Sequence, residues 1–296
     1  MIVRNVMFAP GRHLDVVGPQ TSTPVPVVIY VHGGGRISGT KDADLVDHVA
    51  ARGFCTVSID YELSTLDNPA VYQTTLVALL VLATGLGSRA GRHVSMVLLL
   101  ALAVAITCYC TTLHRNVKHP HHVRDVAQAI RWTVDNIATY GGDPARIVLL
   151  GHSAGAHLVS LVATNERFCQ ELAIPSGTIK GVVAMGGVFS DVRFREYQIG
   201  SLLLHMSFGD DLADAFPIHN VSKDAPPHFL ITAEVEYSLR RHAFDMYFAL
   251  LEVGAYVRAK TYRGLSHMSL RTNWGGVHSY VLDDVVAFIN ECVVTA

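Results

Sequence analysis

The sequence predicts an α/β fold, a mostly parallel sheet with helices on both faces, interrupted by one apolar helical insertion. Three observations carry this. Runs of β-branched and apolar residues such as Val27–Val31 and Ile147–Leu150 alternate with stretches of helical periodicity, the pattern of consecutive βαβ units. One of these runs flows through Gly151-His152-Ser153-Ala154-Gly155 into Ala156-His157-Leu158, reading as strand, sharp turn and helix. At 296 residues the chain is long enough for one large α/β domain with a full core.

In order, Ile2–Phe8 and Leu14–Val17 read as two short strands joined by a Pro-Gly turn. Val27–Val31 is a buried-strand run that ends in His32-Gly33-Gly34-Gly35. Asp42–Arg52 is a modest amphipathic helix closed by Gly53, and Cys55–Asp60 is another buried strand. From His121 to Thr139, Val123, Val126, Ala127, Ile130, Val134 and Ile137 recur at helical spacing, and Gly141-Gly142-Asp143-Pro144 stops that helix. Ile179–Ala184, Phe229–Ala233 and Val257–Tyr262 are further strands. Helices over Leu239–Val253 and Leu282–Cys292 complete the alternation.

Composition excludes some classes. With 23 basic against 25 acidic residues the chain has no electrostatic footprint for nucleic acid. Its five cysteines are scattered and odd in number, which argues against a disulfide framework. No signal peptide is visible over Met1–Pro10. Hydrophobic residues make up 50% and charged residues only 16%, an excess that traces to the segment 66–116. Val71–Ser88 and Val94–Leu113 are both uncharged, and at about 1.5 Å per residue the second reaches roughly 30 Å, a bilayer core. The expectation is a membrane-associated helical hairpin (71–88 and 94–113) inserted in a single domain spanning 1–296, with the catalytic part cytoplasmic. Cys108 and Cys110, at the end of the second stretch, read as apolar filler.

Acyl transfer needs a nucleophile, a base, a group that orients the base, and donors for the tetrahedral oxyanion. Ser153 is the nucleophile candidate, and the helix that starts after it makes the Ala154 N–H an oxyanion donor. Bare glycines after a strand let backbone amides approach a substrate oxygen, so Gly34 and Gly35 are the expected second half of the hole. The base belongs in a loop after the last core strand; among sixteen histidines, His267 meets that requirement, while His242 and His278 sit in or beside helix patterns. The acid belongs after the preceding strand, where Glu234 and Glu236 are available. Glu236 lies further into the loop, and Glu234 reads as a loop anchor. His119, His121 and His122 read as a helix start rather than a metal site, and Asp125 and Asp143 as anchors.

The motifs HGGG at 32–35, Asp60-Tyr61-Glu62-Leu63, His119-Pro120 with Asp125, Tyr140–Ile147 and GHSAGAHL at 151–158, together with Glu236 and His267, resemble α/β-hydrolases of the hormone-sensitive-lipase type. The resemblance extends to small carboxylesterases, kynurenine formamidases and isoprenylcysteine methylesterases, and it covers the chain outside about 65–116. It implies the α/β-hydrolase fold, a serine esterase using Ser153, His267 and Glu236, and no metal or cofactor. Members commonly carry an aromatic residue where Arg36 stands and aspartate where Glu236 stands. Arg36, directly after HGGG, and His152, within the serine motif, are expected to face the substrate. The expected function is hydrolysis of a small-molecule ester, apolar or lipid-like given the hairpin. The alternatives are an amidase of the kynurenine-formamidase kind and a non-catalytic receptor or scaffold on the same fold.

Overall fold

The computed structural model describes residues 1–19, 21, 23–64, 117–196, 208 and 212–294. Its strands are β1 (Ile2–Ala9), β2 (Arg12–Val17), β3 (Val25–Val31), β4 (Cys55–Ile59), β5 (Gly142–His152), β6 (Ile179–Met185), β7 (His228–Val235) and β8 (Val257–Ser266). They form one sheet in the order β1-β2-β4-β3-β5-β6-β7-β8. β1 and β2 run antiparallel, as do β2 and β4, and every later pair is parallel. The longer helices are α1 (Asp44–Ala50), α2 (His121–Asn136), α3 (Ala154–Thr164), α4 (Tyr237–Glu252) and α5 (Ser279–Val294).

The strand residues alternate between two cores, as period-two side chains must when both faces of a sheet are covered. Val28 and Tyr30 of β3, with Val148 and Leu150 of β5, pack with Leu45, Val46 and Val49 of α1 and Val281, Val285 and Phe288 of α5. On the opposite face α3 lies against β5 and β6, with α2 packed on it. All eleven residues of α3 are buried, which fits a helix apolar or small all round. Its approach to β3 leaves no room for side chains: a Cβ on Gly155 would sit 2.6 Å from the carbonyl oxygen of His32 and closer still to that of Val31. Gly155→Ala must therefore push α3 off the sheet. The expected cost is on the order of 3 kcal/mol, read as a lowered urea midpoint; an unchanged midpoint would contradict this packing.

Observed elements exceed the expected ones mainly at their polar ends. β5 starts at Gly142 because that residue pairs with Val25, and β8 runs on to Ser266 because Val235 pairs with it. Chain contacts divide the protein into two units, Met1–Glu62 with Lys118–Ala296, and Leu63–Val117. Within the second, the Ser64 hydroxyl donates to the Val117 carbonyl at 2.9 Å, so the described ends of the segment meet.

The expected hairpin (71–88 and 94–113) and Cys108 and Cys110 lie outside the described residues. The membrane-associated reading, and with it the membrane-bound location with a cytoplasmic catalytic part, is corrected: among the described residues no helix is long and apolar enough to cross a membrane. The longest, α2, α4 and α5, have 16 residues each, about 24 Å against the roughly 30 Å of a bilayer core. Each also carries charges, such as Arg124 and Asp135 in α2 and Asp283 and Glu291 in α5.

Candidate active site

Sheet register brings together residues that are far apart in the chain. Val31 pairs with Gly151, so His32-Gly33 leaves β3 beside His152-Ser153 leaving β5. His152 in turn pairs with Met185 of β6, and the Ser153 N–H donates to the Met185 carbonyl at 2.8 Å. Val235 pairs with Ser266, which sets Glu236 beside His267. These loops all emerge at the carboxyl ends of the parallel strands. They flank the point where winding reverses, with β4 on one side of β3 and β5 on the other, which is where open α/β sheets form their crevices.

Ser153 holds φ 56° and ψ −117° between β5 and the first residue of α3. A non-glycine residue in that region is strained, and the packing on both sides keeps it there. The turn places its side chain beside the glycine loop: a Cβ on Gly33 would lie 2.9 Å from the Ser153 Cβ. Gly34 has φ +109°, and its carbonyl accepts the N–H groups of both Ile37 and Ser38 at 3.1 Å, curling the loop back on itself. Gly33 and Gly34 line the cleft with Ser153, while Gly35 follows one residue further along the turn and is exposed. Ala154 opens α3, where backbone N–H groups have no intrahelical acceptor.

His267 Nδ1–H donates to Glu236 Oε1 in a short contact. Glu236 Oε2 accepts the Ala233 N–H at 2.7 Å, so both oxygens of this buried carboxylate are held. Glu234, in contrast, is exposed and accepts the Gly264 N–H at 2.9 Å, the anchoring role expected for it. Gly186, at φ +58°, was missed in the sequence: a Cβ there would come within 2.8 Å of both Glu236 Oε1 and His267 Nδ1. The signal was the Gly186-Gly187 pair directly after an apolar strand run.

His152 does not reach outward as a free substrate ligand. Its Nε2–H donates to the His267 carbonyl at 2.9 Å, and the two rings lie 4.5 Å apart. Arg36 is turned away from Ser153 altogether. Its guanidinium lies 3.9 Å over the Phe208 ring and bonds His157 Nδ1 of α3 at 2.8 Å, and burial pushes it down to about 9. The reason is backbone direction: Arg36 has φ 67°, the end of the reversal begun at Gly34. His119 Nε2–H donates to Asp214 at 2.6 Å. Asp125 accepts the Glu62 N–H at 2.7 Å and Asp143 the Ala145 N–H at 2.9 Å.

The cleft at Ser153 encloses about 440 Å³ and is walled by Tyr30, His32, Ser38, Thr40, Met268 and Arg271 besides the residues above. A second cavity, of about 380 Å³, lies far from these groups, along Ile174–Lys180 and Pro226–Pro227.

Burial keeps His152, His228 and His242 neutral, as it does other buried histidines such as His122 and His157. His152 is pushed down to about 3, with the neighbouring His267 adding to the effect, and His228 and His242 are pushed down to about 4. In the unfolded chain each titrates near 6.5, so below that pH the unfolded state binds more protons than the folded one. Stability is then full above about pH 6.5 and falls on acidification toward pH 4, by up to about 1.4 kcal/mol per pH unit for each group. Urea midpoints measured from pH 7.5 to 5 are expected to decline steadily; a flat profile would contradict neutral burial.

Comparison with known proteins follows the same lines. A model of the family described as BD-FAE matches residues 14–79 and 92–239. Esterase B1 of Culex pipiens is 28% identical over 164 residues, 53% of this chain and 23% of that protein. Esterase LipC of Mycobacterium tuberculosis is 25% identical over 251 residues, 77% of this chain and 49% of that protein. The chain thus spans at most about half the length of these curated relatives. Among solved structures, a hyperthermophilic esterase from Pyrobaculum calidifontis superposes with a TM-score of 0.68 at 20% identity, covering 99% of this chain and 86% of that one. The resemblance to α/β-hydrolases of the esterase group therefore holds in sequence and in fold.

Proposed function

Because the chain belongs to the BD-FAE family, we propose that it is a serine hydrolase that cleaves carboxylic esters through an acyl-enzyme at Ser153. The observation that carries this reading is the His267–Glu236 pair held beside a strained serine at the carboxyl ends of the strands. In this mechanism Glu236 orients His267 and stabilises its charged form, His267 takes the Ser153 proton, and Ser153 attacks the ester carbonyl. The N–H of Ala154 and those of the glycine loop, Gly34 and Gly35 with Gly33 at the cleft wall, receive the oxyanion. His267 then protonates the leaving alcohol, and water activated by the same base releases the acid. His152 positions the base by holding the His267 carbonyl. Arg36 supports the loop from behind through His157.

The apolar-substrate expectation rested on a membrane hairpin and loses that support. The described walls of the cleft mix apolar surface with polar side chains such as Ser38, Thr40 and Asp42, and its volume suits a small ester. The test is a series of p-nitrophenyl esters of increasing acyl length beside N-formylkynurenine. Short acyl chains are expected to give the highest kcat/KM. Turnover of the formyl amide with no ester cleaved would instead establish the amidase alternative.

A further inference from the structure

Arg271 is a cation in the catalytic cleft that the reaction above does not use. It follows His267 by one short helical turn, Ser269–Arg271, and lines the same cleft as Ser153 and His267. It is half-buried, shares the cleft wall with the buried Tyr30, and among the described residues forms no ion pair. Its charge also acts on His32 and His152, the residues that precede the glycine loop and the nucleophile. The carboxylate lining this cleft, Asp42, is exposed and receives the Thr40 hydroxyl at 3.3 Å. A guanidinium with no carboxylate partner keeps its donors for a planar anion, which it can bind through two parallel hydrogen bonds. A half-buried cation beside the nucleophile attracts and orients a substrate that carries the opposite charge.

We propose that Arg271 is the specificity-determining residue of this cleft, and that its substrates are carboxylic esters bearing a second, ionised carboxylate, such as half-esters of dicarboxylic acids. The proposal rests on the reading of Ser153 as the nucleophile. The carboxylate docks on Arg271 while the ester carbonyl sits at Ser153, so binding energy from a non-reacting group orients the reacting one.

The experiment compares kcat/KM of the full chain for monomethyl succinate and dimethyl succinate, at low and at high salt. The wild type is expected to favour the monoanionic ester by about tenfold or more, with the preference shrinking as salt screens the charge. Arg271→Met is expected to lower the mono-to-diester ratio at least about tenfold, and Arg271→Lys, which keeps the charge without the fork, to give an intermediate ratio. A ratio unchanged in Arg271→Met, or a wild type that favours the diester, overturns the proposal. A parallel calorimetric measurement uses Ser153→Ala, with and without Arg271→Met, and the same two compounds. Tighter binding of the monoester that depends on Arg271 supports the anion site even if no ester is hydrolysed, an outcome that would instead overturn the reading of Ser153. Equal binding of the two compounds counts against the anion site alone.

Discussion

Replacing Ser153 by alanine is expected to lower kcat for p-nitrophenyl acetate by about 10⁴-fold or more, to the residual level supplied by binding and the oxyanion donors. The size follows from role. Without the hydroxyl there is no acyl-enzyme, and no other group takes its place at the junction of β5 and α3, whose backbone at φ 56° presents one side chain to the cleft. The substitution removes a single oxygen from a position already held by the Met185 carbonyl and by α3, so the fold and urea midpoint should persist. Activity retained in folded Ser153→Ala would contradict the assignment.

Glu236→Gln carries the second-largest expected effect, a fall in kcat of about 10³- to 10⁴-fold with little change in KM. The glutamine keeps the volume but removes the charge that stabilises protonated His267, and it can turn an N–H toward Nδ1 and favour the wrong tautomer. Glu234→Gln is the control, because that exposed carboxylate only receives the Gly264 N–H; its kcat should stay within about threefold. Stopped assays on both variants at saturating ester decide between the two acids. A large loss in Glu234→Gln with a small one in Glu236→Gln would reverse the assignment.

Much of this architecture is legible in the sequence because the central parallel strands contain continuous apolar runs bounded by glycine, proline or a polar turn. Val27–Val31 and Ile147–Leu150 lie inside β3 and β5, and the helical spacing of Val123, Val126 and Ile130 marks the buried side of α2. The Glu236–His267 contact could be anticipated from strand order, since neighbours at the ends of adjacent parallel strands meet whatever their separation in the chain.

Where expectation and structure part, the cause is local and physical. Arg36 adjoins the glycine loop in sequence, yet positive φ at Gly34, Gly35 and Arg36 turns its side chain toward His157 and Phe208. Gly186 has no motif of its own, because it is needed only by a carboxylate and an imidazole that arrive from β7 and β8. Arg271 and Tyr30 became visible only once the strand ends were brought together around the cleft. An unbroken apolar run has no periodicity to distinguish a membrane span from other buried structure, and composition alone could not choose.

The central claim is that Ser153 is an activated nucleophile, and covalent labelling tests it most directly. The full chain is treated with a fluorophosphonate and its peptides are mapped by mass spectrometry. The expected result is a single adduct on the peptide containing Gly151–Gly155, absent from Ser153→Ala and slowed in Glu236→Gln. No adduct on folded protein, or an equal adduct on Ser153→Ala, would contradict the account.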